Sequence, residues 1–208
     1  MKPRTSNVLS KITARAKRGD VEVEHLLLLA RLADPSAALV LRELSATHRW
    51  PMMKRGAVPL GMWVECIATF LTRGAGAVAR GVGAKKLDGD VALGLLEESS
   101  DAASVEACIA IARDPKLTRA ALEAIFTIAR QRRTVIDTRV AKRARNLAHR
   151  FLRTARTDVD RSAAYVVLQR FGDESSLKLM ASMRPERKTS PFAGMREDAI
   201  IALRRSLE

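Results

Sequence analysis

Apolar side chains recur every three to four residues along almost the whole chain, and hardly any segment alternates with period two. That spacing winds a single apolar stripe down a helix, whereas a half-buried strand needs strict alternation. Without alternating segments there is nothing from which to build a sheet, so the expected class is all-α. The helix breakers agree. Asp34-Pro35 and Asp114-Pro115 each stop one helix and start another, with proline at the first helical position, where its missing N–H is least felt. Ser190-Pro191 reads the same way, as the opening of the final helix. A basic N-terminal helix of about 7–18 is closed by Gly19, and Asp20 caps a second helix running to Ala33. Further helices are expected near 90–98, 101–113 and 117–131, with Asp158 or Asp160 and Asp173 starting two others and Gly172 closing one. Arg49–Gly61, which contains Trp50-Pro51 and Pro59, reads as a loop.

An internal repeat follows from the same periodicity. Arg161, Ala164 and Leu168 spell R-x-x-A-x-x-x-L, and Arg196, Ala199 and Leu203 spell it again. Arg119, Leu122 and Phe126 give a degenerate third copy. In each, the apolar residues share one helix face while the arginine stands near a turn. A unit of this length is one helical hairpin, which cannot bury its apolar face alone and must stack on neighbours. The segments 160-DRSAAYVVLQRFGDESSLKLM-180 and 195-MREDAIIALRRSL-207 resemble the HEAT-like repeat family, including the short bacterial form named after the phycobilisome lyases. The resemblance covers about 101–208, extends to 20–48, and is poor over 49–98. It implies a HEAT-like α-α superhelix, a right-handed solenoid of about five helical hairpins with an extra N-terminal helix in 1–19. It also implies one repeat domain over 1–208, with an irregular, Gly/Pro-rich middle at 49–98. It does not imply a function.

Charge says more about partners. The formal net charge is +14 and the pI about 10.8, which attracts nucleic acid, an acidic protein or an anionic surface. The charge is concentrated in 130-RQRRTVIDTRVAKRARNLAHRFLRTAR-156, with ten Arg/Lys residues against the single acid Asp137. Wound as a helix, Ile136, Val140, Ala144, Leu147 and Phe151 form one stripe. Arg139, Lys142, Arg143, Arg145, His149, Arg150, Arg153 and Arg156 fall on the opposite arc, with Arg132 and Arg133 just before it. Guanidinium forks match phosphate oxygens and give sequence-independent affinity through counterion release. Trp50, between Arg49 and Lys54-Arg55, is a second candidate, able to stack on a base.

The stretch 72-TRGAGAVARGVGAKKLDGD-90 matches G-x-G-x-x-A at Gly74, Gly76 and Ala79. A dinucleotide fingerprint needs a strand before it, yet 62-MWVECIATFL-71 carries helical spacing. No glycine is followed by Lys-Ser or Lys-Thr at the P-loop spacing. The glycines therefore read as close packing or a loosened join between helices, with Lys85 and Lys86 on a positive rim.

Catalytic signals are sparse. His25, His48 and His149 stand far apart, and Cys66 and Cys108 read as buried apolar residues, so neither a metal set nor a disulfide is expected. No cofactor motif is present. MKPRTSNVLSK has no apolar core of a secretory signal and the apolar runs, Leu26–Ala30 among them, are too short to span a membrane, so a cytoplasmic location is expected. The expected role is a non-enzymatic binding module or adaptor for nucleic acid, DNA or RNA, or another polyanion. Two alternatives stand beside it: a scaffold or immunity-type protein gripping an acidic partner, and a small DNA glycosylase of the kind that resembles HEAT-like solenoids and excises alkylated bases. Those enzymes use several tryptophans and an aspartate, while this chain has only Trp50 and Trp63, with no aspartate beside Trp63. No catalytic residue is carried over.

Overall fold

The computed structural model describes residues 3–18, 21–32, 34–35, 37–47, 59–99, 101–131 and 135–208. Among them the regular structure is entirely helical: α1 (Pro3–Lys17), α2 (Val23–Leu32), α3 (Ala37–Thr47), α4 (Leu60–Arg73), α5 (Ala75–Gly83), α6 (Gly89–Glu97), α7 (Ala102–Ile111), α8 (Thr118–Arg130), α9 (Thr138–Thr154), α10 (Asp158–Phe171), α11 (Glu174–Ser182) and α12 (Met195–Leu207). They gather into two compact units, residues 1–99 and 100–208.

In the first unit α4 is the hub, packed on α2, α3, α5 and α6. Its sequence suits that place, because Val64, Ile67, Ala68 and Leu71 form one buried stripe and Cys66 is buried on the opposite side as well. The glycine-rich stretch becomes helix, turn, helix. Gly74 takes φ +74° between α4 and α5, a conformation a side chain would resist, and its N–H donates to the Phe70 carbonyl at 2.8 Å. On α6, Gly94 lets the Trp63 ring come close: a Cβ there would stand 3.0 Å from Cη2. Helix α4 and not a strand precedes these glycines; Gly81, against Leu87, and Gly94 serve close packing, while Gly74 serves the turn.

In the second unit α10 is the hub, packed on α8, α9 and α12, while α7 packs on α8 and α9. Alternate helices therefore lie against one another, α8 on α10 on α12 and α7 on α9. Ala163, Ala164, Tyr165, Val167 and Leu168 of α10 are buried, as are Val105, Cys108 and Ile111 of α7.

Local chemistry explains most helix ends. Asp101 accepts the Ser104 N–H at 2.6 Å, and Asp173 accepts that of Ser176 at 3.0 Å, while the Ser176 hydroxyl accepts the Asp173 N–H to complete a capping box. Asp114-Pro115 occupies the turn between α7 and α8, where the Thr118 hydroxyl donates to the Ala112 carbonyl at 3.1 Å, but Pro115 is not the first helical residue, since α8 begins at Thr118; likewise Pro35 lies in a turn and α3 begins at Ala37. Three further expectations need correcting. α10 is capped by Thr157, whose hydroxyl oxygen accepts the Asp160 N–H at 3.1 Å, so Asp158 and Asp160 sit in the first turn instead of starting the helix. Ser190-Pro191 does not open α12; Ser190 holds a turn, accepting the Ala193 N–H on its carbonyl at 3.0 Å, and the helix begins only after Gly194 at φ +86°. α1 starts at Pro3, earlier than expected. Gly19, Asp20, Ala33 and most of the 49–61 loop lie outside the described residues.

Candidate functional site

The basic helix forms as α9, starting where the Asp137 carboxylate accepts the Val140 N–H at 2.9 Å. Val140, Ala144, Leu147, Ala148 and Leu152 are buried, while Phe151 and Ile136 are half-buried. The stripe thus turns toward Ala148 and Leu152, because α9 packs against α7, α8 and α10 and covers a broader arc than two helices would. Burying Val140, Leu147 and Leu152 contributes roughly 1.5–3 kcal/mol each. Each exposed like-charge pair costs only a few tenths of a kcal/mol, roughly. Packing wins, and the helix forms despite its charge.

The cations then divide by position around the helix. Arg139, Lys142, Arg150 and Arg153 project from the side away from the buried stripe, are exposed, and have no ion-pair partner among the described residues. Arg143 and Arg145 stand on the two shoulders, within reach of neighbouring helices. Arg143 Nη1 lies 2.7 Å from Glu106 Oε1 on α7, and Arg145 Nη1 lies 2.9 Å from Asp173 Oδ2 at the start of α11. Both are half-buried, so the outward-facing set is narrower than the helical wheel implies. Such pairs are worth about 0–1 kcal/mol at a surface and can exchange for a stronger anion.

His149, also placed on the outer arc by the sequence, is half-buried with Nε2 2.8 Å from Ser176 Oγ. Burial lowers its pKa below 6.5, helped by Arg153 and Arg145 and opposed by Asp173. Burial pushes the Asp173 carboxyl up, but hydrogen bonds from Ser175 and Ser176, with Arg145 nearby, outweigh it and leave the group below its ordinary range.

Arg156 lies just past α9, exposed, on the wall of a cleft of about 300 Å³ that also takes in the start of α10 and the segment after α11. Lys85 and Lys86 occupy the exposed turn between α5 and α6, Lys85 at φ +55°, and belong to the 1–99 unit and not to the one that carries α9. Arg132, Arg133 and Trp50 lie outside the described residues.

Groups with catalytic potential are otherwise placed structurally. Burial, then Asp88 and Glu65, pushes the Cys66 thiol up to about 12, leaving almost no thiolate at neutral pH. Cys66 and Cys108 are both buried, and neither is part of a disulfide. His25 Nδ1 accepts the Glu22 N–H at 3.1 Å, just before α2. Trp63 is half-buried against α6. Among the described residues no group of three or more His, Cys, Asp or Glu side chains is placed to hold a metal ion, and no helix is long and apolar enough to cross a membrane. Sequence reasoning passed over Glu106 and Asp173 as counter-charges and Arg161, Arg184 and Arg187 as neighbours of Arg156. Comparison with protein-family models, with curated proteins and with solved structures finds no match.

Proposed function

We propose that the chain is a non-enzymatic binding module whose outward face on α9 holds nucleic acid or a similar polyanion without reading its sequence. The observation that carries this reading is the set Arg139, Lys142, Arg150 and Arg153: four exposed cations on one flank, without ion-pair partners among the described residues, on a helix whose other flank is buried. A rigid helix presenting guanidinium groups in a row needs little ordering to meet a row of phosphates. Asn146, exposed one turn from both Lys142 and Arg150, is the one amide donor and acceptor on the flank; four cations against one amide favour backbone contact over sequence readout.

We also read the 100–208 unit as HEAT-like repeats. In both clear copies of the repeat the small and large apolar residues are buried, Ala164 and Leu168 on α10 and Ala199 and Leu203 on α12, and these two helices pack together. Their arginines are held at the helix starts, Arg161 by Asp158 and Arg196 by Glu197 and the Met183 carbonyl. The third copy differs: Arg119 is exposed beside Glu123 at 3.7 Å, and Phe126 is half-buried under the Arg130 guanidinium, 5.3 Å from the ring centre.

The test is binding of the nuclease-treated chain to a fluorescent duplex and to a single strand across a salt series. Contact with ~4 phosphates gives a slope of log K against log salt near −3.6 on duplex DNA. Replacing Arg139, Arg150 and Arg153 with glutamate is expected to weaken binding by more than about 100-fold while the helical circular-dichroism spectrum is kept. Unchanged affinity in that variant overturns the reading. A stoichiometric complex with an acidic protein that survives nuclease, in place of nucleic-acid binding, reassigns the face to a protein partner.

A further inference from the structure

The cleft at the end of α9 has a composition that α9 does not explain. Four arginines line it, Arg156 before α10, Arg161 within α10, and Arg184 and Arg187 after α11, with Asp158 as the one acid. That leaves an excess of three positive charges around about 300 Å³. Asp158 is already committed: the Arg161 guanidinium pairs with it, and the Arg187 backbone N–H donates to its second oxygen at 3.3 Å. Asp160, nearby in the first turn, accepts the Thr157 hydroxyl at 2.6 Å. Glu186, between the two later arginines, does not line the cleft; it is buried, close to Tyr165 and Arg196. Arg156, Arg184 and Arg187 are exposed and their side chains have no carboxylate partner among the described residues, while Arg161 Nε is buried with no partner.

We infer that this cleft is a discrete binding site for a terminal phosphate, a phosphomonoester dianion held between the guanidinium groups of Arg156, Arg161, Arg184 and Arg187. Like charges gathered from three separate segments repel one another, and a dianion relieves that repulsion where a monoanion leaves more of it in place. Guanidinium forks pair with phosphate oxygens two at a time. The N-terminus of α10 is already complemented by Thr157, Asp158 and Asp160, so side chains hold the anion and the helix end adds little. The volume lies at the small end of ligand sites, enough for the phosphate and the first part of its carrier. Among the described residues no aromatic ring lines the cleft, so recognition rests on the phosphate and not on stacking of a base. This site stands apart from the α9 face, since none of its four arginines belongs to the set Arg139, Lys142, Arg150 and Arg153.

The test follows backbone amide resonances of the full chain at constant ionic strength during titration with inorganic phosphate, at a pH of about 8, where a phosphomonoester is a dianion. Saturable shifts are expected at Thr157, Arg161 and Arg187. In Arg184→Gln/Arg187→Gln the affinity is expected to fall about 10-fold or more for each guanidinium removed. Both side chains are exposed, and the Arg187 N–H to Asp158 is a backbone contact that survives the exchange, so the fold is kept. The charge-matched control Arg204→Gln/Arg205→Gln, at the exposed end of α12, is expected to bind phosphate as the parent does. A 5′-phosphorylated oligonucleotide that displaces phosphate better than its 5′-hydroxyl twin assigns the phosphate to a strand end. Equal displacement, with phosphate still saturable, assigns it to a small molecule. Shifts that never saturate, or that persist unchanged in Arg184→Gln/Arg187→Gln, overturn the inference. Because that variant leaves Arg139, Arg150 and Arg153 in place, failure here and failure of the α9 face are read separately.

Discussion

His149 shows how one side chain on a charged helix is diverted to structural work. Its ring, half-buried and 2.8 Å from Ser176 Oγ, ties α9 to the residue that completes the cap of α11. Burial and the neighbouring arginines lower its pKa, so the folded chain holds a proton there less readily than the unfolded chain does. Below the ordinary value of 6.5 the unfolded state takes up a proton that the folded state refuses, and stability falls as the pH drops through that range. Asp158 and Asp173 behave differently. Both carboxyls are held below the ordinary 3.8, Asp158 chiefly by the Arg161 hydrogen bond, so their contribution is full above that value and is lost only in stronger acid. The two windows separate. The urea midpoint of the wild type should therefore fall as the pH drops from about 7 to 5, whereas that of His149→Gln, which has no group titrating there at this position, should fall less. Equal losses in both proteins would remove His149 from the account.

At the level of elements, the junction between α10 and α11 was readable because its chemistry is local. Gly172 ends one helix and Asp173 caps the next, and both roles follow from residues within four positions. The structure adds a reason that the sequence hides. A Cβ on Gly172 would lie 2.3 Å from the Leu168 carbonyl oxygen and 2.6 Å from Leu203 Cδ2 of α12, so the glycine serves packing between helices as well as chain reversal. Gly172→Ala should destabilise by about 1–3 kcal/mol through overpacking, read as a lower urea midpoint. Gly83→Ala, where nothing stands within 4 Å, should leave the midpoint unchanged or raise it slightly. Other junctions misled because neighbouring residues offer equivalent chemistry. Thr157, Asp158 and Asp160 can all cap a helix, and only the backbone conformation selects Thr157. Ser190-Pro191 fits a turn as well as a helix start, and Gly194 settles where α12 begins. For α9, the wheel separates Val140, Ala144 and Leu147 from Arg139, Lys142 and Arg150 correctly. It cannot reveal Glu106 and Asp173, which come from other helices and claim Arg143 and Arg145. The four-arginine cleft was hidden for the same reason, since folding alone brings Arg156 and Arg161 to Arg184 and Arg187.

For the molecule as a whole, the charge and the core point to the same half. Residues 100–208 hold 22 of the 37 Lys and Arg and 13 of the 23 Asp and Glu, so more of the positive excess lies there than in residues 1–99. That half also has its own hub in α10, with Ala164, Tyr165, Val167 and Leu168 essentially inaccessible and with α8, α9 and α12 packed around it. A segment of about 110 residues can bury enough apolar surface to fold alone when its core is contiguous. A fragment of residues 100–208 is therefore expected to keep a helical spectrum and a single cooperative unfolding transition, and to retain the parent's salt slope on duplex DNA, because both α9 and the arginine cleft lie within it. A fragment that folds but binds nothing would move the polyanion site to residues 1–99, where Lys85 and Lys86 become the candidates. A fragment that fails to fold would show that α7 to α12 depend on the rest of the chain, and the contribution of α9 would then have to be measured in the full protein by its charge-reversed variant.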